Sequence, residues 1–509
     1  MTAFLSIILS GLFALLLVTW LTKKRRSISV RLPLPPGPKP LPVLGNLLDI
    51  NRSEPWLTFT QWGSHYGDIV YCRLLNREII IIQSESVAKT LLERRSSNYS
   101  DRPRISTSEA FGSAFISAQL GYGSIWRLHR RLFHQSFRMD AIHQYRPLQL
   151  RKARQLCLEI RDTPADLLSL LQTFSASLIM SAVYDYEAAP RHDPLISTAE
   201  KAIDGFIKAA APHTAAILNA FPFLLRLPDW VPGTSIKRLA LQSQKCAIEM
   251  IEVPFQYAQE RITKGVSAKC MVADSLNRLE GQGDKNQQEV ALKASAATAF
   301  IAGVETTTST LTVFALAMIN YPHVQERVQA EIDAVIGSDR LPSFEDRASL
   351  PYLEAVLRET LRWNPVFPVG LPHATTHDDI YDGYYIPKGA YVIANVWAMT
   401  HNETKYPDPY DFRPERFLTA DGGLTDDTAT YGFGFGRRAC VGRYFASSSL
   451  WIAMASMLAN FKFMKPVDEH GNETEVNAEW TTGIMSHPTS LSCRIVARFN
   501  HAREDMTES

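Results

Sequence analysis

The feature that most constrains this chain is a cysteine in a glycine-flanked loop near its carboxyl end. Residues 433–442 read Phe-Gly-Phe-Gly-Arg-Arg-Ala-Cys-Val-Gly. Gly436 and Gly442 omit a side chain where the backbone must turn sharply or approach a flat group closely. The apolar run that begins at Tyr444 predicts a buried helix, and the amino end of such a helix stabilises a thiolate. We therefore expect a fold that presents Cys440 at the start of a core helix.

The residue types in this loop fit a ligand of heme iron. A thiolate ligand pushes electron density onto the iron and favours O–O cleavage, and backbone N–H groups after the cysteine can tune the sulfur. A lone cysteine in a glycine-rich turn is usually an ordinary buried residue, but a chance match at five positions is on the order of one in ten thousand. The five positions are Phe433, Gly436, Arg438, Cys440 and Gly442. The loop resembles the heme-thiolate loop of the cytochrome P-450 family, in which Arg438 would pair with a heme propionate.

A long helix is predicted over residues 291–318, and it is apolar enough all round to be buried. Four residues at i, i+3, i+4 and i+7 share one face: Ala302, Glu305, Thr306 and Ser309. A charge at Glu305 and threonines at 306–308 are costly in a helix that only packs. This face therefore indicates a function beyond packing.

Two interpretations of this face are open. In the first, Thr306 and Glu305 deliver the two protons that dioxygen needs before its O–O bond breaks, and small Ala302 and Gly303 leave room for oxygen. Residues 302–307 resemble the oxygen-activation motif of the P-450 central helix. In the second, the threonine hydroxyls of a plain core helix bond back to preceding carbonyls. The cysteine loop favours the first interpretation.

A glutamate–arginine pair resembles the same family. Glu359 and Arg362 lie at i and i+3 of a predicted helix, a spacing that alone predicts a weak surface salt bridge. The resemblance implies that both meet Arg416, in a Phe-Arg-Pro-Glu-Arg-Phe segment. The three residues would then hold the heme-loop region in place without taking part in the chemistry.

An aromatic–basic pair lies upstream. Trp126 and Arg130, at i and i+4, face the same way and can grip a heme propionate; the alternative is an amphipathic surface helix with a buried tryptophan. The resemblance implies a further propionate contact from His373. It also places four more arginines on the cysteine side of the heme: Arg127, Arg131, Arg437 and Arg443. Such a basic face suits the docking of an acidic electron donor; for each arginine singly, an ordinary solvated surface position is the alternative.

The substrate pocket is expected from the family's topology alone. It would be lined by residues 104–119, 206–223 and 366–371 and by the central helix. The apolar candidates are Phe111, Phe115, Phe300, Phe367 and Val369. Any of them can equally be plain core. An apolar pocket beside a membrane suggests a lipophilic substrate.

The amino end carries an uncharged apolar stretch over residues 3–21, followed by Lys-Lys-Arg-Arg at 23–26. Its length predicts a single transmembrane helix, residues 1–21, with the remaining chain in the cytosol; the alternative is a cleaved signal peptide. Residues 22–45 form a basic and proline-rich hinge, stiff and extended. A ligand for a proline-reading module is the alternative for this segment.

Composition narrows the class. A net charge of +1 over 509 residues implies no strongly charged partner and no nucleic acid, and six scattered cysteines suit a reducing compartment. Helical patterns dominate residues 86–336, whereas short strands are predicted near residues 68–72, 77–83 and 390–394. The prediction is a mainly α chain with a small β-rich part. The resemblance implies the cytochrome P-450 fold for residues 46–509, after the transmembrane helix.

The resemblance also implies an activity. It is that of a heme-thiolate monooxygenase (EC 1.14) of the endoplasmic reticulum membrane that uses heme b, O2 and electrons from NADPH. Its partners would be NADPH–cytochrome P-450 reductase and cytochrome b5. The substrate would be a fungal secondary metabolite, with a terpenoid favoured over a polyketide or an indole. Two alternatives stay open: a heme-thiolate isomerase or peroxygenase that takes no external electrons, and a non-enzymatic heme-binding protein.

Overall fold

The computed structural model describes residues 32–499, apart from residues 106, 190–191, 211–217, 219–221, 228–234, 267–268, 280–283, 338–339 and 477. The predicted transmembrane helix, residues 1–21, and the first part of the hinge lie outside the described residues. The chain divides into two compact units. The first unit comprises Met1–Asp101 and Val369–Met399, and the second comprises Arg102–Pro368 and Thr400–Ser509.

Helices account for most of the described chain. In chain order they are α1 Pro55–Tyr66, α2 Glu85–Ala88, α3 Ser96–Tyr99, α4 Ser108–Phe111, α5 Ser124–Phe137, α6 Arg146–Asp162, α7 Leu167–Tyr184, α8 Pro194–Ala210, α9 Ser235–Thr263, α10 Met271–Leu279, α11 Lys285–Asn320, α12 Pro322–Ile336, α13 Pro351–Trp363, α14 Val396–Thr400 and α15 Arg443–Asn460. The strands are β1 Ile69–Leu74, β2 Arg77–Ile82, β3 His373–Ala374, β4 Asp379–Tyr381, β5 Tyr384–Ile386, β6 Tyr391–Ala394, β7 Phe461–Met464 and β8 Arg494–Ala497. The prediction of a mainly α protein with a small β-rich part is confirmed.

The first unit is built on a four-stranded sheet of order β1-β2-β6-β3. Strand β2 pairs antiparallel with β1 and parallel with β6, so it lies inside the sheet, and its residues 79–82 are almost all buried. Helix α1 packs Trp56, Phe59 and Trp62 against this sheet. Strands β4 and β5 form a separate hairpin.

The proline-rich segment covers the free edge of β1. The N–H of Tyr71 donates to the Pro36 carbonyl at 2.9 Å, and the N–H of Asn46 donates to the Arg73 carbonyl at 2.6 Å. A Cβ on Gly37 would lie 1.8 Å from the Tyr71 carbonyl oxygen, so only glycine fits there. An unpaired sheet edge invites unwanted pairing. The described part of the predicted hinge is therefore docked structure and more than a spacer.

The second unit is a helical body around α11. Helix α7 packs along α11, and both belong to one large apolar cluster with α15 and the β7–β8 pair. Within the described ranges, Pro164–Tyr184 and Lys285–Asn320 are long and apolar enough to cross a membrane. Their most apolar windows are 78% and 67% buried inside the protein. Core packing accounts for the apolar character of both helices.

Candidate active site

The cysteine loop closes on itself before α15 begins. Gly434 and Gly436 adopt φ of 73° and 57°, values in the left-handed region that glycine enters without penalty. The chain then returns so that the N–H of Cys440 donates to the Phe433 carbonyl at 2.7 Å. Helix α15 starts at Arg443. The loop thus delivers Cys440 to the amino end of a buried helix, as the sequence predicts.

Gly442 lies in the predicted turn, at residues 441–442, directly before α15. Its φ of −83° is open to any residue, so the turn itself does not require glycine. A Cβ on Gly442 would lie 3.9 Å from the Cys440 sulfur, which is an ordinary contact distance. A close approach of Gly442 to a flat group stays a prediction.

The environment of Cys440 differs from that of the other cysteines. Cys440 is exposed, Cys493 is half-buried, and the other four are buried. Although Cys440 is exposed to water at its surface, protein atoms fill most of the surrounding volume, and these surroundings determine the pKa of its thiol. Burial raises the pKa of the Cys440 thiol, opposed by the backbone N–H of Gly442 and by the charges of Arg130 and Arg443. A coordinating metal cation would shift such a thiol to the thiolate.

Helix α5 places cations beside the loop. The guanidinium of Arg438 lies over the Trp126 ring, 4.2 Å from its centroid, and its Nη2 donates to the Leu120 carbonyl at 2.8 Å. Nη1 of Arg130 donates to the Ala439 carbonyl at 2.6 Å. The structure therefore brings Trp126, Arg130 and Arg438 together around the cysteine loop. Positive N–H donors of this kind can hold a carboxylate.

His373 belongs to the first unit, in strand β3. Its Nδ1 lies 2.7 Å from the Tyr99 carbonyl oxygen. Because a carbonyl only accepts hydrogen bonds, this contact places the imidazole proton on Nδ1. The ring is buried and its orientation is fixed by that bond. A propionate contact from His373 stays a prediction.

The central helix opens at the predicted face. Ala302 is exposed and Glu305 and Thr306 are half-buried, although α11 is buried on either side. The Thr306 hydroxyl donates to the Ala302 carbonyl at 2.7 Å, and the Ser309 hydroxyl donates to the Glu305 carbonyl at 2.7 Å. This is the back-bonding that a plain core helix predicts. With its proton donated, the Thr306 oxygen can still accept a hydrogen bond, so proton delivery by Thr306 and Glu305 stays a prediction beside this back-bonding.

The glutamate–arginine motif forms a buried network in the second unit. Arg362 donates to both carboxylate oxygens of Glu359, from Nε at 2.6 Å and from Nη2 at 2.8 Å. Nε of Arg416 donates to the same carboxylate at 3.1 Å, and so does the backbone N–H of Arg413 at 2.7 Å. The remaining N–H groups of Arg362 reach carbonyls of residues 400, 409 and 411. The network ties α13 to the chain that leads into the cysteine loop.

Comparison with known proteins decides the family. The cytochrome P-450 family model matches residues 35–493. The chain belongs to the cytochrome P-450 family. It is 38% identical to a cytochrome P-450 monooxygenase of Armillaria gallica over 97% of this chain and 98% of that protein. It is 39% identical to one of Rhodocybe pseudopiperita (92% and 91%) and 37% identical to tryptamine 4-monooxygenase of Psilocybe cyanescens (91% and 93%).

Membership makes this P-450 an oxidoreductase of the monooxygenase class, with a heme held by a cysteine thiolate and a dependence on O2. The residues present fit that group. Cys440 offers an accessible sulfur with N–H groups aimed at it, and α5 and the loop offer cations for the propionates. Across the described ranges, no group of three or more His, Cys, Asp or Glu side chains is arranged to hold a metal ion.

Gly303 of this P-450 faces away from the site. A Cβ on Gly303 would lie 2.9 Å from Cγ1 and 3.1 Å from Cδ1 of Ile179, a buried residue of α7. The prediction that Gly303 leaves room for oxygen is therefore wrong, because its missing side chain allows α7 and α11 to pack closely. Room on the open face depends on Ala302.

We expect Gly303→Ala to destabilise the protein by about 1–2 kcal/mol, because the added methyl overpacks Ile179. Without that contact the same change would stabilise a helix by about 1 kcal/mol. The two cases differ in sign, and a urea titration followed by far-UV circular dichroism distinguishes them. Gly432→Ala is the control, since nothing lies within 4 Å of its added Cβ. A more stable Gly303→Ala variant would contradict the contact.

The predicted pocket residues fall into two groups. Phe111, Phe300 and Val369 are buried within apolar clusters, as expected if they are ordinary core residues. Phe115 and Phe367 are half-buried. The Phe115 ring lies edge-on to Phe206 of α8, with 6.1 Å between centroids. Contact of any of the five with substrate stays a prediction.

Two arginines of the predicted basic face lie against one tyrosine. Arg127 and Arg437 are exposed, and both guanidinium groups lie 5.6 Å from the Tyr122 ring centroid. Arg131 is also exposed, whereas Arg443 is half-buried and donates to the Cys440 carbonyl at 3.0 Å. These contacts keep Arg127, Arg437 and Arg443 on or beside the cysteine loop, and a place for Arg131 in the basic face stays a prediction.

Sequence reasoning missed a buried polar chain next to this site. His129 of α5, only 3% exposed, has its Nδ1 2.7 Å from the Ser117 hydroxyl. The Ser117 N–H donates to the Thr298 hydroxyl of α11 at 3.2 Å. Burial lowers the pKa of His129 from its usual 6.5 to about 4. The only signal in the sequence is a histidine on the side of α5 that carries Trp126, and nothing in it identifies the partners.

A neutral buried histidine makes stability depend on pH. Below pH 6.5 the unfolded chain binds a proton at His129 that the folded chain, with a pKa of about 4, does not bind. Stability therefore falls with pH, by about 2 kcal/mol between pH 7 and pH 5 and by about 3 kcal/mol in all. Urea titrations at several pH values measure this slope. His129→Asn should flatten it by that amount, whereas His134→Asn, at an exposed position of α5, should not; equal slopes would contradict the assignment.

Proposed function

We propose that this P-450 is a membrane-anchored monooxygenase that inserts one oxygen atom of O2 into a lipophilic small molecule. The observation that carries the proposal is the accessible Cys440 sulfur at the start of α15, beside the Trp126–Arg438 stack. Heme b, bound through Cys440, would supply an iron that binds and activates dioxygen. The proposal includes a transmembrane helix at residues 1–21 in the endoplasmic reticulum membrane, with the catalytic domain, residues 46–509, in the cytosol.

The residues have separate tasks in this proposal. The N–H groups of Gly442 and Arg443 stabilise negative charge on the Cys440 sulfur. Trp126 and Arg130, with Arg438, hold the propionates. On the open face of α11, the Thr306 oxygen accepts a hydrogen bond, because its own proton is donated to the Ala302 carbonyl. Glu305, half-buried one residue earlier, exchanges protons with water and passes them to that face.

Electrons would come from NADPH through a separate flavoprotein, NADPH–cytochrome P-450 reductase, with cytochrome b5 as a second donor. The sequence holds no flavin or nicotinamide motif that would let the chain supply them itself. The exposed arginines Arg127 and Arg437, together with Arg131 farther along α5, favour an acidic partner surface.

The substrate would be a fungal secondary metabolite, with a terpenoid favoured over a polyketide or an indole. The half-buried Phe115, packed against the buried Phe206, supports an apolar ligand. One relative is named for tryptamine, an indole, at 37% identity. An indole is therefore the second candidate to be screened.

The test is a turnover assay in membranes that contain the full chain and the reductase, with NADPH and ¹⁸O2. Terpenoid, polyketide and indole substrates are supplied in turn. We expect a product with one ¹⁸O atom that needs both NADPH and reductase. Conversion that continues without NADPH would favour the isomerase or peroxygenase alternative. Reduced heme that holds O2 and consumes no NADPH with any substrate would favour a non-enzymatic heme protein.

A further inference from the structure

The buried chain of His129, Ser117 and Thr298 joins three separate segments of the second unit. Its members belong to α5, to the connection between α4 and α5, and to α11. All three side chains are less than a tenth exposed. Side-chain hydrogen bonds that are fully shielded from water are costly to break, because a broken partner is left unsatisfied. Such a chain fixes the relative positions of the elements it joins.

The contacts of Thr298 fix the direction of two hydrogen bonds. The Thr298 hydroxyl donates to the Ala294 carbonyl at 2.8 Å, so its oxygen accepts from the Ser117 N–H at 3.2 Å. The Ser117 hydroxyl lies 2.7 Å from Nδ1 of His129 and 3.4 Å from the Thr298 oxygen, so it pairs with the imidazole as acceptor or as donor, according to the tautomer. Burial lowers the pKa of this imidazole to about 4, which keeps the ring neutral at physiological pH.

The hydrogen bonds among His129, Ser117 and Thr298 fix one end of the segment 117–120, and a bond from the cysteine loop fixes the other end. Three residues after Ser117, the Leu120 carbonyl accepts from Arg438 of the cysteine loop at 2.8 Å. Thr298 lies one turn before Ala302 on α11, at i−4, and therefore on the same face. Residues 117–120 thus run between the helix that carries the open face and the loop that carries the cysteine.

The hydrogen bonds of Ser117 also restrict the position of the nearby aromatic side chain of Phe115. Phe115, two residues before Ser117, is half-buried and packs edge-on against Phe206 of α8. We propose that His129 is a positioning residue for substrate: through Ser117 and Thr298 it fixes Phe115 relative to the open face at Ala302. This inference rests on the proposed function and adds a residue that determines the shape of the pocket for a lipophilic ligand.

The experiment uses two iron-binding probes on the full chain in membranes. Imidazole occupies little more than the iron, whereas clotrimazole carries three aryl rings that must fit the surrounding pocket. Spectral titration gives both dissociation constants. In His129→Phe, which keeps a ring but loses the nitrogen that pairs with Ser117, we expect clotrimazole binding to weaken at least about fivefold and imidazole binding to change less than about twofold. His129→Asn supplies an amide with both a donor and an acceptor at a similar position and should bind both probes like the parent.

Two further variants define the outcome. Thr298→Val removes the acceptor on α11 at similar volume and should reproduce the loss seen with His129→Phe. His134→Phe, the same change at an exposed position of α5, should bind both probes normally. Unchanged clotrimazole affinity in His129→Phe, or equal weakening of both probes, would overturn the proposal.

The carbon monoxide spectrum of each reduced variant is recorded first, because it reports the heme-thiolate site separately from the pocket. A retained spectrum with weakened clotrimazole binding supports the role of His129. Loss of the spectrum in both His129→Phe and Thr298→Val would mean that the hydrogen bonds among His129, Ser117 and Thr298 are needed for folding, and it would overturn the proposal. Loss of the spectrum in the parent protein would instead count against the proposed function.

Discussion

Cys440→Ala is expected to abolish both the red-shifted Soret band of the reduced carbon monoxide complex and all NADPH-dependent turnover. The physical reason is that the alanine offers no donor atom where the loop presents its accessible sulfur. The thiolate supplies the electron density that favours O–O cleavage, and no other cysteine in the described ranges is exposed. Difference spectra of dithionite-reduced membranes measure the band, and the turnover assay measures the activity.

Cys493→Ala is the matched control. Cys493 is half-buried, and burial alone raises the pKa of its thiol to about 11, whereas N–H groups and arginines oppose the corresponding rise at Cys440. We expect this variant to keep both the band and the activity. A band that persists in Cys440→Ala, or a folded Cys440 protein whose band is that of nitrogen-ligated heme, would contradict the assignment of the ligand.

The pKa of the Cys440 thiol favours its protonated form in the absence of a metal ion. Burial raises the pKa of Cys440, and the N–H groups and arginines around it oppose that shift without cancelling it. Before the iron binds, the neutral thiol is therefore favoured at neutral pH. Binding of the cation should release a proton. The N–H groups and arginines of the loop would then favour the thiolate once a cation is bound.

Local patterns predict much of this protein. The long helix around residues 291–318, the strands near residues 69–82 and the helix that follows the cysteine each have a clear period or composition, and each is present. The loop geometry at Gly436 follows from residue type, since its φ of 57° favours glycine. These features depend on contacts within a few residues, which is the information that a single sequence carries best.

Features that depend on distant contacts were not predictable. Gly303 is an ordinary small residue in the sequence, yet its missing side chain makes room for Ile179 of another helix. The docking of the proline-rich segment on β1 depends on a sheet edge that no local pattern reveals. His129 meets a partner in another segment, and its burial follows from three elements packing together. In each case tertiary packing decides the role of a residue whose type leaves several roles open.

Glu359→Gln is expected to lower the free energy of unfolding by about 3–5 kcal/mol, because it leaves two buried guanidinium groups without their counter-charge. Glu359 and Arg362 are fully buried and Arg416 is 7% exposed, so water cannot replace the lost charge. The glutamine also offers an N–H2 group toward donors that need an acceptor. Because this network holds the chain ahead of the cysteine loop, the heme should be released at lower urea concentration together with the loss of helix.

The size of this effect depends on burial, and a surface pair in the same unit provides the comparison. Glu326 pairs with Lys462 at 3.0 Å, but the two side chains are 61% and 39% exposed. Glu326→Gln should therefore cost less than about 1 kcal/mol, as exposed ion pairs do. Urea titrations followed by circular dichroism and by Soret absorbance measure both variants. Equal stabilities for Glu359→Gln and Glu326→Gln would mean that the carbonyls around Arg362 already satisfy its charge and that Glu359 is dispensable, contrary to the buried network described here.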